Sequence, residues 1–170
     1  MKKFEDLIIT YKDFPKKGID FKDVLEILQY PDIFKDIISK MSSNQFLKNA
    51  EAIISIDARG FIFGSAIALE SSKPMIVARK PGKLPGKLLT REYDLEYGKS
   101  SLSIQCNALK KFNSFVIVDD LLATGGTVNC VSRLLHDQKK KTLGLITVVE
   151  LKKLKGRSKL GFPVQSMITI

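Results

Sequence analysis

Residues 115–127, which read Phe-Val-Ile-Val-Asp-Asp-Leu-Leu-Ala-Thr-Gly-Gly-Thr, constrain the fold of this chain more than any other segment. The first four are apolar and mostly β-branched or aromatic, which predicts a buried strand of a parallel sheet. Asp119 and Asp120 follow at the end of that strand, where open α/β sheets bind their ligands. The segment therefore predicts a binding site with two carboxylates at the carboxyl edge of a mainly parallel sheet.

The next residues, Ala123 to Thr127, predict an anion-binding loop. Gly125 and Gly126 allow backbone N–H groups to approach phosphate oxygens, and the threonine hydroxyls on either side add donors. The apolar periodicity that follows predicts a helix, whose amino end favours negative charge. Two carboxylates beside a phosphate suit the vicinal hydroxyls of a ribose, so the implied ligand is a 5-phosphorylated ribose.

Residues 115–127 and the segment around Gly98 each have an alternative interpretation. Asp and Gly are common in turns, so residues 115–127 could be a core strand that ends in a solvated turn. Gly98, Lys99 and Ser100 resemble the end of a kinase-type phosphate loop, but Tyr93 stands where its first glycine should be. No GxGxxG pattern occurs, which leaves a dinucleotide-binding fold without support.

Alternating strands and helices predict one α/β domain with a mainly parallel sheet. Strands are predicted over 52–56, 75–78, 102–105, 115–118 and 143–149. Asp20 is expected to cap a short helix that contains Val24, and Pro31 to open a second helix with apolar residues at helical spacing. A third helix is predicted over 61–69. The polar segment 79–99 is expected to be a mobile lid loop, and residues 1–50 to include a hood over the strand ends.

Composition fits a globular protein of 170 residues, with 44% hydrophobic and 27% charged residues. The net charge of +10 raises nucleic-acid binding as an alternative. However, the lysine runs are short and lack interleaved aromatic residues, so we consider nucleic acid an improbable partner. We expect no membrane span, a cytoplasmic location, reduced thiols at Cys106 and Cys130, and a surface position for His136.

Several segments, in a fixed order along the chain, resemble one enzyme family. They are residues 14–23, 57–61, 79–85, 93–98, 119–127 and 150–160. The chain resembles type I phosphoribosyltransferases and, within that group, the adenine phosphoribosyltransferases. The resemblance implies their fold, with a hood and a flexible catalytic loop, and a reaction in which adenine displaces pyrophosphate from phosphoribosyl pyrophosphate (PRPP). It also implies Mg²⁺ bound with PRPP, no firmly predicted direct protein ligand for the metal, and a homodimer.

The residues and the resemblance together assign roles along the chain. Asp57, Ala58 and Arg59 follow a predicted strand and face the same crevice as the two acids, although Arg59 could instead form a structural ion pair with Asp57. The resemblance implies a cis peptide bond between Asp57 and Ala58. The implied ribose 5-phosphate site is Asp119, Asp120, Ala123, Thr124, Gly125, Gly126 and Thr127. The implied pyrophosphate site is Asp57, Ala58, Arg59, Arg79, Lys80 and Lys83.

For the chemical step, the resemblance implies Glu96 as a proton-handling residue that acts with Asp119 and Asp120; a solvated loop acid is the alternative. Tyr93 and Tyr97 are expected to close the lid. The implied base site is Asp20, Phe21, Lys22 and Leu121.

Asp20 and Lys22 depart from the family pattern, which commonly has an apolar residue and an arginine there. A phosphoribosyltransferase for another purine base is kept as one alternative. The net charge of +10 keeps a second, a PRPP-sensing regulator that binds nucleic acid.

Overall fold

A five-stranded parallel sheet forms the centre of the computed structural model, which describes residues 3–95 and 98–170, without the side chains of Asp94 and Leu95. In chain order its strands are β3 (Ala52–Ile56), β4 (Met75–Ala78), β7 (Ser114–Leu122), β8 (Lys141–Glu150) and β9 (Val164–Thr169). Their spatial order is β4-β3-β7-β8-β9. The register places Ile53 between Met75 of β4 and Val116 of β7.

Helices cover both faces of this sheet. They are α1 (Pro31–Ser42), α2 (Gln45–Asn49), α3 (Gly60–Ser71), α4 (Cys106–Leu109) and α5 (Gly126–Asp137). Successive strand residues enter different cores, since Ile54 and Ile117 pack on the α5 side while Ile53 and Val116 pack with residues of α1 and α3. Strands buried on both faces appear in a sequence as continuous apolar runs, which is why the sequence predicted β3 and β4 with their observed bounds and the apolar parts of β7 and β8.

The amino-terminal region is built differently from the expectation. Strands β1 (Ile9–Tyr11) and β2 (Phe21–Asp23) form an antiparallel ribbon, and short 3₁₀ helices span Phe4–Leu7 and Leu25–Gln29. The prediction that Asp20 caps a helix was wrong: Asp23 Oδ1 accepts a hydrogen bond from Leu25 N at 2.9 Å. This bond from the side chain of Asp23 to the N–H two residues further on satisfies a donor of the first turn. Asp20 instead directly precedes strand β2.

The segment predicted as a lid loop contains a β-hairpin. Strands β5 (Leu88–Leu95) and β6 (Gly98–Gln105) pair in antiparallel fashion, with Tyr93 opposite Ser100. The hairpin joins the remainder of the fold through Arg79, which exchanges two backbone hydrogen bonds with Ser103 at 2.7 and 2.9 Å. Of this hairpin, only residues 102–105 were predicted as a strand, because its other residues are mostly polar and give no apolar run.

Strand β7, which carries the two acids, is longer than predicted. It continues through Asp119 and Asp120, so both acids lie near the carboxyl end of the strand and are buried. Strand β9 was not predicted; 3₁₀ turns at Lys152–Leu154 and Gly156–Lys159 lead towards it. Within residues 3–95 and 98–170, no helix is both long and apolar enough to cross a bilayer.

Candidate active site

An open cavity of about 470 Å³ lies at the carboxyl ends of β3 and β7. Parallel strands bring the segments that follow them to this common edge, as the sequence predicted. The lining residues come from the β3 end, the hairpin and the β7 segment: Ile56, Asp57, Ala58, Arg59, Lys80, Tyr93, Ser100, Asp119, Asp120, Leu121, Leu122, Ala123, Thr124, Gly125, Gly126, Thr127 and Val128.

Asp119 and Asp120 are the buried acids of the cavity wall, 9% and 5% exposed. Asp119 Oδ1 accepts a hydrogen bond from the backbone N–H of Asp120 at 3.0 Å. Burial, followed by the charge of Asp120, raises the pKa of Asp119 well above its ordinary value. Burial also raises the pKa of Asp120, against the opposing charge of Arg59. A ligand that donates hydrogen bonds to these two carboxyl groups would therefore favour their charged form.

Gly60 allows Asp119 to approach the start of α3. A Cβ at position 60 would lie 2.9 Å from Asp119 Oδ1, closer than real Cβ atoms come to such a neighbour. Ser55 fixes the same turn by donating its hydroxyl to Gly60 O at 2.6 Å. The glycine in the Asp57-to-Phe61 segment thus has a packing reason that the sequence argument did not identify.

Arg59 joins three parts of the site. Its Nε lies 2.8 Å from Asp120 Oδ2 in an ion pair whose geometry is not that of a hydrogen bond. Its guanidinium carbon lies 4.7 Å from the centre of the Phe21 ring, and Nη1 donates to Lys22 O at 3.4 Å. The alternative in which Arg59 pairs with Asp57 is therefore wrong.

Asp57 pairs instead with Arg79, whose Nε donates to Asp57 Oδ2 at 3.0 Å. Arg79 also lies over the Phe61 ring at 5.6 Å, and its Nη1 donates to Lys83 O at 3.4 Å. Lys80 lines the cavity, whereas Arg79 and Lys83 do not. The Asp57–Ala58 peptide bond is cis, as the resemblance implied.

The loop that the sequence predicts to bind an anion leads directly into α5. Gly125 has φ of +81°, a left-handed conformation that favours glycine, and precedes the first turn of α5. The N–H groups of a first helical turn have no partner within the helix, so they are free to face an anion. Ala123, Thr124, Gly126 and Thr127 line the cavity beside it.

The predicted base residues only partly converge. Leu121 lines the cavity, while Phe21 reaches it through its contact with Arg59. Lys22 directs its ammonium to Thr10 Oγ1 at 2.8 Å, and Asp20 is exposed. Lys22 therefore meets Arg59 through its backbone carbonyl and not through its ammonium group.

The hairpin contributes two residues to the cavity wall, Tyr93 and Ser100. Ser100 was not predicted; recognising the hairpin would have placed it opposite Tyr93. Glu96 and Tyr97, the predicted proton-handling and lid residues, lie outside the described residues. In the described part of the chain, no group of three or more His, Cys, Asp and Glu side chains could hold a metal ion.

Comparisons with known proteins agree with this geometry. The family model of the phosphoribosyl transferase domain matches residues 23–170. An adenine phosphoribosyltransferase of Prochlorococcus marinus is 87% identical over 170 residues, which are 100% of both chains. The solved adenine phosphoribosyltransferase of Thermoanaerobacter pseudethanolicus is 38% identical, with a TM-score of 0.91 and coverage of 98% of each chain. That of Saccharomyces cerevisiae, solved with adenine and an iminoaltritol bisphosphate, is 34% identical, with a TM-score of 0.88 and coverage of 97% of this chain and 96% of its own.

Proposed function

The chain belongs to the adenine phosphoribosyltransferases, and we propose that it transfers the 5-phosphoribosyl group of PRPP to adenine, giving AMP and pyrophosphate. Its fold is the type I phosphoribosyltransferase fold. The observation that carries the proposal is the buried pair Asp119 and Asp120, which shares one cavity with the phosphate loop and with Arg59 and Lys80. This arrangement offers complementary groups for each part of PRPP.

The 5-phosphate binds in the loop of residues 123–127, where backbone N–H groups and the start of α5 favour an anion. The carboxylates of Asp119 and Asp120 accept hydrogen bonds from the ribose 2- and 3-hydroxyls. Donors from the sugar compensate the desolvation that raises both pKa values in the free protein, so both groups are ionised more readily when the sugar is bound.

The diphosphate lies at the β3 end, near Arg59, Lys80 and the backbone of the Asp57–Ala58 turn. Arg59 is held by a carboxylate and the Phe21 ring in the free protein, and it can exchange its ion pair with Asp120 for the diphosphate. Arg79 and Lys83 lie outside the cavity of their own chain, where Arg79 donates hydrogen bonds to Asp57 and to the carbonyl oxygen of Lys83.

Asp119 and Asp120 are the residues that would face an Mg²⁺ ion accompanying PRPP in this site. Carboxylate oxygens are the hard donors that Mg²⁺ prefers, and Asp119 and Asp120 present them on the cavity wall. The buried Oδ2 of Asp120 accepts no hydrogen bond within the described residues and is paired with Arg59, so release of Arg59 to the diphosphate would leave this oxygen for a water of the ion's hydration shell. When bound, the ion neutralises charge on the leaving diphosphate.

The reaction breaks the bond between ribose C1 and the diphosphate oxygen and forms a bond from C1 to a ring nitrogen of adenine. Positive charge grows at C1, and the two carboxylates next to the ribose stabilise it electrostatically. The base nitrogen loses a proton, for which Glu96 is the candidate acceptor. Tyr93, with Tyr97, helps exclude water that would otherwise hydrolyse the sugar.

Adenine is placed between Leu121 and the β1–β2 ribbon that carries Phe21. The ribbon offers backbone groups, because the side chain of Lys22 is turned to Thr10.

The protein works as a homodimer in the cytoplasm and needs no membrane or nucleic-acid partner.

Product analysis tests the proposal. The protein is incubated with PRPP and Mg²⁺ and with adenine, hypoxanthine or guanine, and nucleotides are separated by chromatography. We expect AMP from adenine and much slower conversion of the other two bases. Equal rates with all three purines would contradict the adenine assignment, and the absence of every nucleotide would contradict transferase activity.

A further inference from the structure

The carboxyl-terminal turn, residues 151–159, packs against the back of the phosphate loop, away from the cavity. Gly156 is buried there. A Cβ built on it would lie 2.2 Å from the carbonyl oxygen of Ala123 and 3.1 Å from the backbone nitrogen of Gly125. Conversely, a Cβ on Gly125 would lie 3.0 Å from Gly156 O. The two backbones are therefore in direct contact, and neither position leaves room for a side chain.

An ion pair fixes this turn to the sheet. Arg157 Nε donates to Glu150 Oε1 at 2.9 Å, and Nη2 contacts the other carboxylate oxygen. Arg157 Nη1 also donates to Val164 O at 2.6 Å, and Ser166 donates to Glu150 Oε2 at 3.1 Å. Glu150 is the last residue of β8 and stands opposite Leu122, one residue before the phosphate loop. The arginine hydrogen bonds hold the pKa of Glu150 below its ordinary value, so the carboxylate stays charged.

We infer that Gly156, held in place by the Arg157–Glu150 pair, positions the phosphate loop and so sets the affinity of the protein for the 5-phosphate. These are positioning residues; they contact the back of the loop, not the ligand. Hydrogen bonds to phosphate need donor–acceptor distances within a few tenths of an ångström, whereas a methyl group at Gly156 must move loop backbone by about 1 Å. The inference rests on the proposed function and adds a determinant of phosphate affinity outside the cavity.

The experiment compares Gly156→Ala with Gly161→Ala. Position 161 is the matched control, because a Cβ built there meets nothing within 4 Å and Gly161 has no positive φ. Binding of ribose 5-phosphate and of pyrophosphate is measured separately by calorimetry, with thermal unfolding of each variant. We expect Gly156→Ala to bind ribose 5-phosphate about tenfold to a hundredfold more weakly, the loss of one or two charge-assisted hydrogen bonds. Pyrophosphate binding should stay within about twofold, and Gly161→Ala should bind both ligands normally.

In steady-state kinetics, Gly156→Ala should raise KM for PRPP by a similar factor and leave KM for adenine unchanged. Should Gly156→Ala fail to fold, Arg157→Lys gives the same readout, because it keeps the charge and loses the forked hydrogen bonds. Unchanged ribose 5-phosphate affinity in a folded variant overturns the inference even where AMP is still made. An equal loss for both ligands overturns it as well, since that result indicates general loosening of the site. A wild-type protein that binds ribose 5-phosphate but makes no AMP would instead contradict the proposed function.

Discussion

The Nε of Arg59 lies 2.8 Å from Oδ2 of Asp120, across the cavity edge that separates the end of β3 from the end of β7. One residue of this pair belongs to the segment proposed for the diphosphate, and the other to the segment proposed for the ribose. The same guanidinium contacts the Phe21 ring of the amino-terminal ribbon. In the free protein, Arg59 therefore links the three parts of the site that the sequence presents far apart.

Replacing either buried acid should slow catalysis without unfolding the protein. Asp119→Asn and Asp120→Asn each remove one charge-assisted hydrogen bond and half of the negative charge beside ribose C1. We expect kcat to fall about tenfold to a hundredfold in each, which corresponds to about 1.5–3 kcal/mol. Steady-state kinetics at saturating PRPP and circular dichroism of each variant check this. Wild-type rates in both variants would remove the acid pair from the mechanism.

Asp119→Asn should also make the protein more stable at neutral pH. Folding raises the pKa of Asp119, so above that raised pKa the folded protein bears the cost of a buried charge. The cost disappears below the ordinary carboxyl pKa of about 3.9, where the group is protonated in both states. The variant should therefore exceed the wild type in free energy of unfolding at pH 7, and the gap should narrow as the pH approaches 4.

Urea unfolding at pH 7 and pH 4.5 measures this difference. Asp36→Asn is the control, because its partly exposed side chain pairs with Lys40 on the surface of α1 and its loss should change stability little at either pH. A gap that is constant across pH would mean that charge burial at Asp119 is not its cause.

The sequence predicted the parts of this protein that are encoded by continuous segments. Strand β3 has the predicted bounds, and the loop proposed for the 5-phosphate connects β7 to α5, because apolar runs and paired glycines act locally. Pairings between distant segments escaped prediction. Arg59 pairs with Asp120 and Arg79 with Asp57, choices that depend on which strands become neighbours in the sheet.

Polar strands were the second source of error. Strand β5 was taken for part of a loop and only residues 102–105 of β6 were predicted as a strand, because the other exposed side chains carry no apolar signal; Ser100 was missed for that reason. The contact between Gly156 and Ala123 is a backbone approach, which a sequence shows only as a glycine.

Lys22→Arg should retain adenine use. The Lys22 side chain donates to Thr10 Oγ1 at 2.8 Å, and an arginine can reach the same hydroxyl while the backbone carbonyl continues to accept from Arg59. We expect kcat/KM for adenine within about threefold of the wild type, since lysine and arginine are both cations that can donate to the same exposed hydroxyl. Initial rates over a range of adenine concentrations check this. A collapse of activity would show that the side chain at position 22 enters the base site directly.

Glu96→Gln should lower kcat more than it raises KM for PRPP, because the proposed proton transfer belongs to the chemical step. Glu92→Gln serves as the control, since Glu92 is an exposed acid of β5 and has no proposed role. Single-turnover rates with PRPP prebound separate the chemical step from binding. A loss of PRPP affinity alone, with an unchanged single-turnover rate, would argue against a role in proton handling.

Arg79 should complete the diphosphate site of a second subunit. Its side chain is 34% exposed and does not line the cavity of its own chain, where its Nε is bound to Asp57. Leu69 of α3 is 84% exposed, an apolar side chain that a subunit contact would bury. We expect a twofold-symmetric dimer with an interface of at least about 1,000 Å², whose formation frees Arg79 from Asp57.

Sedimentation equilibrium measures the assembly, and mixing of variants tests the shared site. Arg79→Ala and Asp119→Asn chains, each of low activity alone, should regain part of the activity when combined, because one site of the heterodimer then has both residues intact. If a verified heterodimer recovers no activity, Arg79 acts in the site of its own chain. A fully active monomer would rule out a shared site.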